Sequence, residues 1–202
     1  MKIKLFLLST SIVLFVQFFN SCEYEKTGMP KPRTYPRVEF PEKKYQEFND
    51  SECGFTFEFP VYAKITKEKH FFDEKAPNDC WYNMVFTPYN GTLYLTYYNI
   101  ENKSDFEKLV NDSYDLVSRH DVKASGRNEI PIKLSGSGGM LFRIDGNVAS
   151  HTQFYITDTS RNFIRGSLYF NNKVNTDSMQ VIQDFIDKDI DHFIGTFSWI
   201  KK

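Results

Sequence analysis

Apolar and polar positions alternate with two different periods along this chain. Phe55, Phe57 and Phe59 alternate with Thr56 and Glu58, a period of two that predicts a strand ending at Pro60. Two further runs, Trp81 to Phe86 and Thr92 to Tyr98, flank Pro88-Tyr89-Asn90-Gly91. The Asn-Gly pair between them predicts a hairpin. The period then lengthens: Phe106, Leu109, Val110, Ser113, Leu116, Val117 and His120 keep helical spacing. Ser104 and Glu107 are placed as a capping box at the start of that helix. Strand patterns return at Ile130 to Leu134, Met140 to Ile144, Val148 to Thr157 and Phe163 to Phe170. The polar stretch Asp158 to Asn162 serves as the turn between the last two. A second helix is predicted to open near Thr176, with Met179, Ile182, Ile186, Ile190, Phe193 and Phe197 on one stripe.

Strands, helix, strands, helix is the order of an α+β domain with a mainly antiparallel sheet and two principal helices. That order, with a closing helix that runs into Phe197-Ser198-Trp199, resembles the fold of the photosystem protein PsbP. Fold resemblance carries no function.

The first residues follow a different pattern. Lys2 and Lys4 precede an uncharged, largely apolar run from Leu5 to Phe19, and Ser21-Cys22 closes it. A positive start, an apolar core and a small residue form a secretory signal. The run is shorter than the roughly 20 apolar residues of a spanning helix, and Ser9, Thr10, Ser11 and Gln17 interrupt it. A cysteine directly after the core marks a lipoprotein signal: the Cys22 thiol takes the lipid and becomes the first mature residue. The alternative is an uncleaved anchor helix. Residues 1–21 are thus a leader and 22–36 a polar tether containing Pro30, Pro32 and Pro36. Residues 37–202 form a single globular domain on this reading. Acyl chains hold such a domain to a bilayer at about 0.8 kcal/mol per buried methylene. The expected location is the cell envelope, inner or outer membrane, facing the periplasm.

Export changes the meaning of the other cysteines. With Cys22 lipidated, Cys53 and Cys80 remain as an even pair in an oxidising compartment, which predicts a disulfide. Two separate buried thiols are the alternative. A formal net charge of -1 provides no electrostatic footprint for nucleic acid. The 20 Phe and 12 Tyr suffice for a packed, strand-rich core.

No sequence motif announces a reaction. Nucleophile elbow, phosphate loop, dinucleotide fingerprint and zincin motif are all lacking, and no cofactor or metal is implied. His70, His120, His151 and His192 are far apart along the chain, so a hydrolase would need a spatially assembled site. Asp187 and Asp191, one turn apart and off the apolar stripe, read as solvated. The polar segment Asp145 to Asn175 is the candidate protein-docking face, through Asn147, Ser150, Gln153, Asp158, Arg161 and Arg165, with His151 beside them. Alternation places Ser150, Thr152, Phe154 and Ile156 on one face and His151, Gln153 and Tyr155 on the other. An ordinary solvent-facing sheet surface is the competing reading.

Six ordered segments carry a family resemblance: PKPRTYPR at 30–37, CWYN at 80–83, DGNVAS at 145–150, QFYITD at 153–158, FIRGSLYFN at 163–171 and NTDS at 175–178. Together they resemble the GldD gliding-motility lipoproteins of Bacteroidota, over almost all of the mature chain. The resemblance implies a non-catalytic accessory lipoprotein needed for gliding and for type IX secretion. Its implied partners are other envelope lipoproteins of that machine, which it stabilises or assembles. No catalytic residue comes with the family. A periplasmic module for a small ligand or peptidoglycan fragment is the alternative, and a hydrolase a further one. Cys22→Ala is expected to leave an unlipidated precursor or soluble protein. Labelling with a fatty-acid precursor checks this, and equal label on wild type and variant would refute the lipoprotein reading.

Overall fold

The computed structural model describes residues 38–68, 70–71, 74–75, 78–171 and 176–200. Cys22 and the tether lie outside the described residues. Residues 37–202 make one compact unit. Among the described residues, twelve strands and two α-helices follow one another: β1 (Tyr45–Asp50), β2 (Phe55–Pro60), β3 (Lys64–Lys67), β4 (His70–Phe71), β5 (Glu74–Lys75), β6 (Tyr82–Phe86), β7 (Gly91–Asn99), α1 (Lys103–Ser118), β8 (Ala124–Leu134), β9 (Ser137–Gly146), β10 (Thr152–Thr157), β11 (Asn162–Phe170), α2 (Thr176–Thr196) and β12 (Ser198–Trp199). The fold is α+β, and every strand pairing is antiparallel.

A seven-stranded sheet in the order β3-β6-β7-β11-β10-β9-β8 forms the frame, with a three-stranded sheet β1-β2-β12 and the short pair β4-β5 beside it. The predicted hairpin is present as β6–β7. Its loop is a 3-10 turn at Thr87–Tyr89 followed by Asn90 at φ 52, the left-handed conformation that Asn tolerates well. Phe55, Phe57 and Phe59 of β2 all point inward, and each is at most 8% exposed.

Two cores lie on the two faces of the large sheet. On one face, α2 and β2 pack over Tyr82, Leu93, Leu95, Phe154 and Ile164. Phe193 of α2 joins the layers, with its ring 4.4 Å from that of Phe57 and 5.5 Å from that of Phe154. The Phe154 ring occupies the space over its cross-strand partner Gly166, where a Cβ would come within 2.3 Å of it. On the other face, α1 packs Val117, Phe106, Leu109, Val110 and Tyr114 against Phe142, Ile144, Tyr155 and Phe163.

Several local expectations are corrected. The N-cap of α1 is Asn102, not Ser104: its Oδ1 accepts from the Asp105 N–H at 3.1 Å and its Nδ2 donates to the Asp105 carboxylate at 2.8 Å. Asn caps as well as Ser, and the acidic residue three positions on completes the box two residues early. Strand β8 runs six residues earlier than Ile130. It contains Pro131, which only an edge strand accommodates. Strand β10 begins at Thr152 rather than Val148, which is buried outside it. The strands β1, β3, β4, β5 and β12 were not anticipated from the periodicity.

Cys53 and Cys80 are joined, with an S–S distance of 2.06 Å. The bridge ties the turn before β2 to the residues before β6. On a chain-entropy basis its loss is expected to cost about 2 to 5 kcal/mol. Cys53→Ala or Cys80→Ala should therefore lower the denaturation midpoint markedly, as chemical unfolding would read. A midpoint equal to wild type would show that the bridge does not constrain the exported protein.

Candidate docking groove beside helix α1

Strand alternation sends Thr92, Tyr94, Thr96 and Tyr98 of β7, and Arg165, Ser167 and Tyr169 of β11, to the face that carries α1. The helix covers β9 and β10 but not this part of the sheet. A groove of about 550 Å³ results, with Tyr98 and Arg165 in its floor and the Asp105–Arg119 edge of α1 as its wall. Wall residues Lys108, Asp112, Asp115, Leu116 and Arg119 recur every three or four positions, so they stand on one side of the helix. The Arg165 guanidinium carbon sits 5.9 Å from the centre of the Tyr98 ring, within reach of a cation–π interaction. Among the described residues, Lys108, Asp112, Asp115, Arg119 and Arg165 form no ion pair, although both signs line one groove.

The expected docking face does not come together as one surface. Ser150 is fully buried in the β9–β10 connection, and Gln153 is 3% exposed because β10 lies mid-sheet with α1 on one face and α2 on the other. Both are corrected from docking residues to interior ones. Asn147 is exposed, but it sits in the β9–β10 connection, at the opposite end of the strands from the Asp158–Asn162 turn. Asp158 is committed to its own turn. One carboxylate oxygen accepts the N–H groups of Ser160, Arg161 and Asn162, and the other accepts Asn162 Nδ2 at 2.6 Å. Arg161 is exposed on that turn, beside Thr159 in a left-handed conformation at φ 63. Arg165 alone of the six reaches the groove. The charged side of α1 was not singled out from the sequence, although its spacing of three and four residues is the signal that could have found it.

His151 is buried, and its Nδ1 lies 3.0 Å from the Ile144 carbonyl oxygen. His120 lies close enough to feel it: burial, and secondarily the charge of His151, push the His120 ring below its ordinary value. No hydroxyl or thiol among the described residues hydrogen-bonds to either ring. No group of three or more His, Cys, Asp or Glu among those residues is placed to hold a metal.

Two acidic sites of α2 escaped the sequence. Asp187 and Asp191 are not simply solvated, because both take the Arg143 guanidinium of β9, and Asp187 also accepts from Thr152 at 2.7 Å. Burial raises the Asp187 carboxyl above its ordinary range despite that arginine. Between them in sequence and on another side of the helix, Asp189 is 1% exposed. Lys43 Nζ lies 2.6 Å from it and also donates to the Phe185 carbonyl at 2.8 Å. The hydroxyls of Tyr45 and Tyr62 donate to the same carboxylate. Burial, aided by that donation, pushes the Tyr45 hydroxyl up to about 12.

The model of the gliding motility lipoprotein GldD family matches residues 25–199. The chain belongs to that family, and it is accordingly an envelope-associated, lipid-anchored protein related to gliding motility. No helix among the described residues is long and apolar enough to cross a membrane. The chain is similar also to cytoadherence-linked asexual protein 3.1 of Plasmodium falciparum, at 24% identity over 89% of this chain. That alignment spans only 14% of the Plasmodium protein's length. Among solved structures, cyanobacterial PsbP (CyanoP) from Synechocystis aligns with a TM-score of 0.45 and 11% identity, covering 81% of this chain and 96% of that one.

Burial works against the charge of Asp158, but the N–H groups of Arg161, Asn162 and Ser160 outweigh it and hold the carboxyl below its ordinary 3.8. The unfolded chain therefore binds more protons between the folded value and 3.8. Stability rises with pH across that window and is lost as pH falls through it. Asp158→Asn keeps an acceptor for the turn and removes the titration. It should flatten the acid limb of melting temperature against pH and lower the melting temperature at pH 7, where the contribution of the ionised carboxylate is fully present in wild type. An acid limb identical to wild type would refute this role.

Proposed function

We infer that this protein is a non-catalytic, lipid-tethered assembly factor of the gliding and type IX secretion machinery, which stabilises or assembles other envelope lipoproteins. Membership of the gliding-motility lipoprotein family supports the general setting. The finer role rests on one observation, the open groove beside α1 whose cations and carboxylates are not paired with each other. Solvated charges of both signs around an aromatic floor steer a partner and fix its register. A buried histidine without a neighbouring hydroxyl or thiol is a poor base for nucleophilic catalysis, which weighs against a hydrolase.

The groove and the adjoining turn are tested together by Arg161→Glu with Arg165→Glu. Charge reversal at a docked surface leaves like-charge contacts that typically cost several kcal/mol. In the free protein the same change should alter stability by no more than about 1 kcal/mol, chiefly the loss of the Arg165–Tyr98 contact. The expected outcome is abolished gliding and secretion, reduced levels of partner lipoproteins and a melting temperature close to wild type. Normal motility and secretion would remove this surface from consideration. Lost function in a stably folded His120→Ala or His151→Ala protein would favour the hydrolase instead.

A further inference from the structure

We propose that residues 38–44 are a latch that docks the root of the lipid tether on α2, and that this latch opens while the rest of the domain stays folded, lengthening the tether. The inference depends neither on the assembly reading nor on the groove beside α1.

The segment precedes the first strand, and two half-buried apolar side chains and one cation fasten it. Val38 and Phe40 pack against the core on the α2 face. The Phe40 ring lies 4.3 Å from that of Phe185 and 5.7 Å from that of Tyr89. Three residues on, the Lys43 ammonium enters a cage of its own. It sits 3.2 Å from the centre of the Phe185 ring, donates to the Phe185 carbonyl at 2.8 Å and lies 2.6 Å from the Asp189 carboxylate. All three contacts come from one turn of α2, since Phe185 and Asp189 are four residues apart on it. At the end of the segment the Lys44 carbonyl accepts the Val61 N–H at 3.0 Å.

This hold is close to balance. A buried ammonium gives up hydration that its carboxylate only partly returns. Burial accordingly pushes the Lys43 ammonium below its ordinary 10.5, and Asp189 does not offset it. The Lys43 side chain is still 26% exposed, so water competes for it. Undocking does not strip the site bare. The Tyr45 and Tyr62 hydroxyls continue to donate to Asp189, and the side of the carboxylate that Lys43 vacates admits water. Phe185 keeps the Tyr62 ring at 5.8 Å and the Tyr89 ring at 5.6 Å.

Opening halts at Tyr45. From there β1 pairs with β2 along its whole length, and the Tyr45 ring stacks 3.6 Å from that of His192. The segment before that point is a unit that opens locally, at less cost than the sheet. Its seven residues span at most about 23 to 25 Å when extended. Opening lets the domain stand that much farther from the lipid and dilutes it against a partner on the same membrane; closing does the reverse.

The test uses the full-length acylated protein in detergent micelles, with spin labels at Glu42→Cys in the latch and Lys103→Cys at the start of α1. Acylation of Cys22 and the Cys53–Cys80 bond leave these two as the reactive thiols. Pulsed dipolar spectroscopy reads the distance between them. With the natural latch residues, one narrow distance is expected to dominate. In Phe40→Ala with Lys43→Gln, a broad and longer distribution should replace it, with the docked fraction at least about tenfold lower. The melting temperature should stay close to that of the natural latch. In vesicles containing acceptor-labelled lipid, energy transfer from a donor at Lys103→Cys should fall in the same variant. A docked distance retained in the double variant would overturn the latch, as would a broad distribution already dominant with the natural residues. An unfolded domain in the variant would overturn it too, because the segment would then be part of the fold. Unchanged energy transfer despite opening would refute the effect on reach. The assembly reading is judged separately, by gliding and secretion in cells.

Discussion

The width of a helix against the width of a sheet decides most of this structure. Seven strands about 4.8 Å apart present a face close to 30 Å across, whereas a helix with its side chains is about 10 Å wide. On one face the deficit is met by α2 together with the small sheet, joined through Phe193 and the phenylalanines of β2. On the other face α1 is the one helix among the described residues, and its 16 residues shield β9, β10 and the start of β11. Beside α1 the helix stops short of Tyr98 and Arg165, and the groove lies along that margin. Any change that moved α1 sideways by a strand would fill the groove and expose Phe142 and Tyr155.

Sandwiching the middle of the sheet has a second consequence, for polar residues. Thr152, Gln153 and Thr157 lie on a strand buried from both sides, so each needs an internal partner or carries a desolvation cost. Thr152 finds one in Asp187, which Arg143 in turn holds. Lys43 and the tyrosines Tyr45 and Tyr62 do the same for Asp189. These two carboxylates, on different sides of α2, fasten it to β9 and to the chain just before β1. A buried pair of this kind is weak evidence of net stabilisation, but removing one partner is costly. The first described residues are thus held in place by Phe40 stacked at 4.3 Å on Phe185 and by Lys43 above the same ring.

The elements with one wet and one dry face were readable from the chain. β2 and the two long helices show clean periods, because a single side of each faces a core. What failed was reading exposure on β10. Its polar residues suggested a solvent-facing surface, and only the position of α1 on the far side of the sheet buries them. Alternation assigned the face of Gln153, but Ser150 lies in the connection before β10, and the burial of both depended on elements distant in sequence. The slip in the α1 cap, from Ser104 to Asn102, has a smaller cause, since two valid caps lie two residues apart. The short strands at the edges are set by pairing rather than pattern, as with β12, whose two residues extend the β2 ladder. The groove was half legible: Arg165 stood among the candidate residues, but the charged side of α1 was not singled out, and Arg165 and Thr96 meet only through the β7–β11 pairing.

On the proposed assembly role, lipid attachment bears on how strongly such a groove would have to bind. A domain and its partner attached to one membrane meet at an effective concentration set by the linker, which for short flexible linkers is in the millimolar range. The sequence between Cys22 and Arg37 is of that length class and rich in polar residues and proline. At such concentrations an individual contact of modest affinity is well occupied, and a deep apolar pocket is unnecessary. Specificity then matters more than strength, and solvated charges supply it at little cost in stability, since exposed pairs contribute at most about 1 kcal/mol. An open groove with unpaired charges is what that arrangement favours. It also accounts for the division of labour in this domain: buried carboxylates such as Asp189 and Asp187 are matched internally and fix the frame, while Asp112, Asp115 and Arg165 remain available at the surface.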